Sequence, residues 1–198
     1  MPVSSNVRRH NYRPRYTSSE TTMFGFGKPK DDAVVEAVCS KLRTMFGILE
    51  HRLGEIPNKL TGDPYVLGYI IGSAVIFAQI ETAGKASSEL RGKVSLAALQ
   101  TAFSSLDFSM SQASSAMHKI IGDPEAKRGS NAADLVITAV SGRTDRDHDP
   151  EIIAARKAVS KMPPDIKKML GGSEKSLLVN ELQERLFFVP IEAKYGTQ

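Results

Sequence analysis

An all-α fold, a helical bundle with little or no sheet, is what three observations predict. The fourteen residues from Tyr65 to Ala78 carry no charge and are apolar almost throughout. A row of apolar residues recurs at steps of three and four from Leu96 to Ile120. A sustained alternation of period two, the mark of a half-buried strand, occurs nowhere in the 198 residues. Three long helices with three to four shorter C-terminal helices packed on them are therefore expected. The organisation read from this is a disordered basic tail over residues 1–30 and a single helical domain over 31–198. Within that domain the long-helix core spans 31–122 and the shorter helices span 123–198.

The first helix is expected from Asp31 or Asp32 to about Leu53. Val35, Val38, Leu42, Met45 and Leu49 fall on one face, and Gly54 and Pro57 end the pattern. His51 stands in the last turn, where a cationic imidazole is mildly favoured, so it reads as a surface residue. Cys39 lies on the apolar side and reads as a small buried hydrophobe; as the sole cysteine it excludes an internal disulfide.

The second helix has a marked start. Asp63 can accept orphan amide hydrogen bonds as N-cap, and Pro64 has the fixed φ that suits the first helical position. The apolar run is shorter than the roughly 20 residues a membrane span needs, and Gln79 and Glu81 close it. A helix apolar on every side has to be covered on every side, so a core helix is expected and no stable membrane span. Gly68 and Gly72, four apart, predict a neighbouring helix at close approach.

Arg91-Gly92 reads as a break before the third helix, with Ser95 as its cap. Leu96, Leu99, Phe103, Leu106, Met110, Ala113, Met117 and Ile120 then form one unbroken core row. A second row on the same helix, Ser95, Ala98, Ala102, Ser105, Ser109, Gln112 and Ala116, consists mostly of small residues. Asp107 is the one charged side chain between Val94 and His118. Charge depletion of this kind marks a closely covered face, covered either by another helix of the same chain or by another protein; on the second reading these seven residues are the expected partner-binding surface.

The C-terminal half repeats the Asp-Pro spelling at Asp123-Pro124 and Asp149-Pro150. Lys127 to Asn131 reads as a polar turn, 132–140 as a compact helix closed by Gly142, and 151–162 as an amphipathic helix stopped by Pro163-Pro164. A short turn of helix over 165–170 follows. Ser173 caps a last helix to about Phe188, with Leu178, Leu182 and Leu186 inward and Phe187, Phe188, Val189 and Ile191 docking the C-terminus.

Net charge separates the tail from the body. Residues 1–30 hold six cations against Glu20, whereas residues 31–198 hold 20 cations against 21 acids. The body thus offers no general footprint for nucleic acid. In the tail, Arg8, Arg9, Arg13 and Arg15 are interleaved with Tyr12 and Tyr16, the composition of an arm that holds phosphates and stacks bases. Met23 offers an alternative start. With no secretory signal, the expected compartment is the cytoplasm.

No motif carries catalytic chemistry. Asp145, Asp147 and Asp149 have the alternate spacing of a calcium loop, but Pro150 and Arg156 stand where that loop needs glycine and glutamate. Gly171 to Ser176 lacks the glycine a phosphate loop places before its Lys-Ser pair. No catalytic residue, metal or cofactor is expected. The leading expectation is a non-enzymatic interaction or structural protein acting as a homo-oligomer or adaptor, with a protein partner that can be a second copy. The alternative is a nucleic-acid-binding protein using the tail, with the body as a dimerisation module.

Overall fold

The structure, a computed structural model, describes residues 31–170 and 172–196; the tail lies outside the described residues. The described chain is all-α: α1 is Asp31–Leu53, α2 Pro64–Glu81, α3 Ser88–Ala102, α4 Met110–Lys119, α5 Pro124–Ser141, α6 Pro150–Lys161, α7 Pro164–Met169, α8 Glu174–Gln183 and α9 Val189–Tyr195. No strand occurs among the described residues.

Helix α2 is the axis of the larger core. Its N-cap is Asp63, whose side chain accepts from the Val66 amide at 3.1 Å, with Pro64 in the first turn. Helices α1, α3 and α5 pack around it. The contact with α5 is backbone on backbone: a Cβ on Gly68 would land on the Ala126 carbonyl, one on Gly72 on Ser130, and one on Gly129 on the Tyr65 carbonyl. Glycine is required at these three positions by the approach itself. An aromatic cluster fills the space on the other side of α2. Tyr69 stacks on Phe187 at 4.3 Å between ring centroids, and Phe46 meets both Phe103 and Phe187 edge-on.

The third long helix is not continuous. Helix α3 begins earlier than expected, capped by Ser87, whose hydroxyl accepts from the Leu90 amide, and runs straight through Arg91-Gly92. It stops at Phe103, and Asp107 takes a left-handed conformation at φ 50°. The break turns Phe108 inward against Phe103 at 5.2 Å, in place of Met110, which is half exposed. Helix α4 then restarts with a capping box, the Gln112 amide donating to the Ser109 hydroxyl and the Ser109 amide to Gln112 Oε1. Burying a phenylalanine rather than a methionine at the turn, with a ready cap behind it, outweighs the unbroken helical row.

Residues Lys127 to Asn131 are not a turn either. They lie inside α5, where Gly129 and Ser130 serve the close approach to α2. Gly142 ends α5 in the left-handed region at φ 71°, as the spacing predicts. At the C-terminus the helix continues beyond Phe188, through a π-helical turn at Glu184–Phe188 into α9. Pro190 has no amide to give the Leu186 carbonyl four residues earlier; the Tyr65 hydroxyl donates to that carbonyl instead. Burial pushes the Tyr65 phenol up to about 12, so it stays a neutral donor.

Asp63 ties this end back to the start of α2. Its buried carboxylate accepts from Lys194 Nζ and from the Tyr195 hydroxyl, each at 2.6 Å. Burial alone would raise this carboxyl. The bonds from Lys194, Tyr195 and the Val66 amide outweigh that and hold it below the usual value. Arg52 makes a second tie, pairing with Glu184 and Glu192 while its guanidinium lies 4.3 Å from the centre of the Phe188 ring. A smaller core, Leu135, Val136, Ala139, Ile152, Ala155 and Leu182, joins α5 to α6 and α8.

Candidate interaction surface

The seven residues of the small-residue row do not share one face, because the helix that was to carry them is interrupted. Ser95, Ala98 and Ala102 are buried in α3, and Ala116 is buried under α4, all four within the single chain. Ser95 donates its hydroxyl proton to the Arg91 carbonyl at 2.8 Å. Ser105 is exposed in the turn before Asp107, and Ser109 and Gln112 are exposed and occupied in capping α4. The absence of charge from Val94 to the end of α3 thus follows from intramolecular packing. In α4 it reflects a helix of serines facing solvent.

The uncovered apolar surface lies instead on α2. Half of its eighteen residues are buried. Ile71, Val75, Ile76 and Phe77 are only partly covered, and Ile80 is 48% exposed. A hollow of about 240 Å³ lies between the start of α2, at Thr61, Pro64 and Leu67, and Phe108, Gln112, Ala116 and Ile120 before and along α4. A groove of about 450 Å³ runs along Ile71, Gly72, Val75 and Ile76, walled by Ile120 on one side and by Ala126, Lys127 and Ser130 on the other. Ile121, between the lining residues Ile120 and Gly122 in sequence, is 78% exposed. The sequence identifies α2 as the most apolar segment but not the open side, since composition that is apolar all round carries no direction.

The polar constellations are held internally. Asp145 pairs with Arg143 at 2.6 Å, Asp147 with Arg156 at 2.6 Å, and Asp149 with Arg146 at 3.1 Å while also accepting from the Glu151 amide as cap of α6. Each aspartate of the candidate calcium loop therefore has an arginine on it. A second hollow, of about 410 Å³, has Ala139, Ile152 and Leu178 as its floor and Arg143, Arg156, Lys175, Asp147 and Glu174 at its rim. Its two arginines are the ones already engaged by carboxylates. His118 Nδ1 lies 2.8 Å from the Ser114 carbonyl, one turn earlier on α4. Among the described residues no group of three or more His, Cys, Asp or Glu side chains could hold a metal ion. Arg8, Arg9, Tyr12, Arg13, Arg15 and Tyr16 lie outside the described residues.

No family model, no curated protein and no solved structure matches this chain.

Proposed function

We propose that the protein is a non-enzymatic interaction protein that works as a homo-oligomer, the open side of α2 being the face its copies bury. One observation carries this: the most apolar helix of the chain, packed backbone to backbone on α5 along one side, is only partly covered along Ile71, Val75 and Ile76 and is exposed at Ile80 on another. Exposed apolar ground of this kind, beside a groove and rimmed by polar residues, is the usual mark of a binding surface. A second copy is favoured because closed two-fold dimers are the commonest assembly. The α2 helix is also long and apolar enough to cross a membrane by composition alone. Its capped start on the buried Asp63 and its glycine contacts with α5 support the core role instead.

The test is site-directed crosslinking. In a Cys39→Ser background, a cysteine placed at Val75 is expected to link two chains through a short bismaleimide at micromolar protein, whereas a cysteine at exposed Ser105 is not. Failure of the Val75 cysteine to crosslink, with the protein folded, would remove α2 as the shared face.

A further inference from the structure

The charge of the body is not spread evenly. From Ile152 to Leu170, α7 and all of α6 past its first-turn Glu151, which pairs with Arg185, five cations stand against the single acid Asp165; the remainder of residues 31–198 then has 15 cations against 20 acids. Among these five, only Arg156 has an ion-pair partner among the described residues, Asp147. Lys157, Lys161 and Lys168 are exposed and unpaired among the described residues, and Lys167 Nζ reaches back from α7 to the Ser160 carbonyl near the end of α6 at 3.4 Å.

Apolar side chains are interspersed with these lysines on the outside of the molecule. Ile152, Ala155 and Val159 form the buried row of α6; Ile153 lies outside that row, 53% exposed, between Arg156 and Lys157 on the next turn. Around the corner on α7, Met169 is 75% exposed and Leu170 40% exposed, next to Lys168. Isoleucine and methionine are also exposed elsewhere, at Ile121 and Met110, so what sets this corner apart is their company of unpaired lysines; a surface for single-stranded nucleic acid would add aromatic platforms. Lysines around exposed aliphatic side chains match the boundary of an anionic bilayer, where the ammonium groups meet headgroup phosphates and the aliphatic tips enter the acyl region.

We infer that the α6–α7 corner is a docking surface for an anionic phospholipid membrane, peripheral and reversible, with Lys157, Lys161 and Lys168 on the headgroups and Ile153 and Met169 dipping below them. This surface is separate from the open side of α2 and does not depend on what covers that side.

The experiment uses the full chain and sedimentation with vesicles of phosphatidylcholine, with and without phosphatidylserine. Wild type is expected to pellet with the anionic vesicles and not with the neutral ones. The triple variant Lys157→Glu/Lys161→Glu/Lys168→Glu is expected to lose about a hundredfold in partitioning, from roughly a fivefold contribution per lysine near the surface. The variant Arg8→Ser/Arg9→Ser/Arg13→Ser/Arg15→Ser should keep most of the binding. Because the chain has no tryptophan, Met169→Trp provides a single reporter, and Ile121→Trp a control between α4 and α5. Anionic vesicles should shift the emission of the tryptophan at 169 to the blue and leave that at 121 unchanged. Four results would overturn the inference: no pelleting of wild type, pelleting of the triple variant at the wild-type level, a blue shift at 121 in place of 169, or a lysine-dependent affinity for single-stranded DNA with none for vesicles.

Discussion

The two cores are held by different means. Around α2 the packing is backbone on backbone and ring on ring, with Gly68, Gly72 and Gly129 admitting α5 and Tyr69, Phe46, Phe103 and Phe187 filling the other side. Around α6 and α8 the buried cluster is six aliphatic residues, ringed by ion pairs: Arg146 bridges Asp134 and Asp149, Arg156 meets Asp147, and Arg185 meets Glu151. The first arrangement tolerates almost no change in volume. The second places partly exposed charges in water, where each contributes little and the surface can vary. A rigid scaffold carrying an adjustable layer is what the difference implies, and each substitution below tests one side of it.

The largest effect is expected at the helix crossing. Gly68→Leu puts a branched side chain where the Ala126 backbone already lies, so at least about 3 kcal/mol should be lost in urea unfolding, at the top of the range for overpacking. Gly92→Leu, at a helical glycine with open space around its Cβ position, is the matched control and should cost almost nothing. Equal effects at the two positions would mean that α2 and α5 are not in this contact.

Next is Asp63, the one residue that both starts α2 and holds α9. Asp63→Ala should cost about 2 to 3 kcal/mol, combining a lost helix cap with lost charge-assisted hydrogen bonds, and should expose the amides of α9 to hydrogen exchange first. The pH dependence follows from the lowered carboxyl. Its stabilisation is complete above the ordinary value of 3.8 and disappears as pH falls below that value and through the lower folded one. An acid titration of wild type should therefore show a larger loss of stability below pH 3.8 than Asp63→Ala shows.

The smallest effect belongs to the ionic layer. Arg146→Met, which keeps an aliphatic stem and removes contacts to Asp134 and Asp149, should cost about 1 kcal/mol at low salt and less at high salt. A loss as large as that at Gly68 would show that the second core depends on its charges rather than on Leu182 and its neighbours.

Where local chemistry decided the structure, the sequence was legible. The Asp-Pro starts of α2, α5 and α6, the serine cap of α8 and the glycine end of α5 are all present, each set by one or two residues acting on their own backbone. Where a contact distant in sequence decided, it was not. Gly129 and Ser130 read as turn residues and turned out to be the floor on which α2 rests, which only the position of α2 reveals. Phe108 breaks the third helix because Phe103 offers it a buried partner; the Ser109–Gln112 capping box was the one local sign of that restart. The small-residue row from Ser95 to Ala116 failed as a single surface for the same reason, since a stripe exists only as long as its helix does. The lysines of α6 and α7 were visible in the sequence, but a net charge taken over the whole body averages them against acids elsewhere.

The open side of α2 is tested most directly by sedimentation equilibrium of the full chain across a hundredfold range of concentration, comparing wild type with Ile76→Glu/Ile80→Glu and with Ala102→Glu. Wild type is expected to approach the mass of a dimer or larger. The α2 variant should remain a folded monomer, because both positions are at least partly exposed in one chain. Ala102→Glu, which places a charge in a position buried within α3, should lose stability while keeping the wild-type mass. A wild type that stays monomeric throughout, or an assembly that the α2 substitutions leave intact, would contradict a role built on that face.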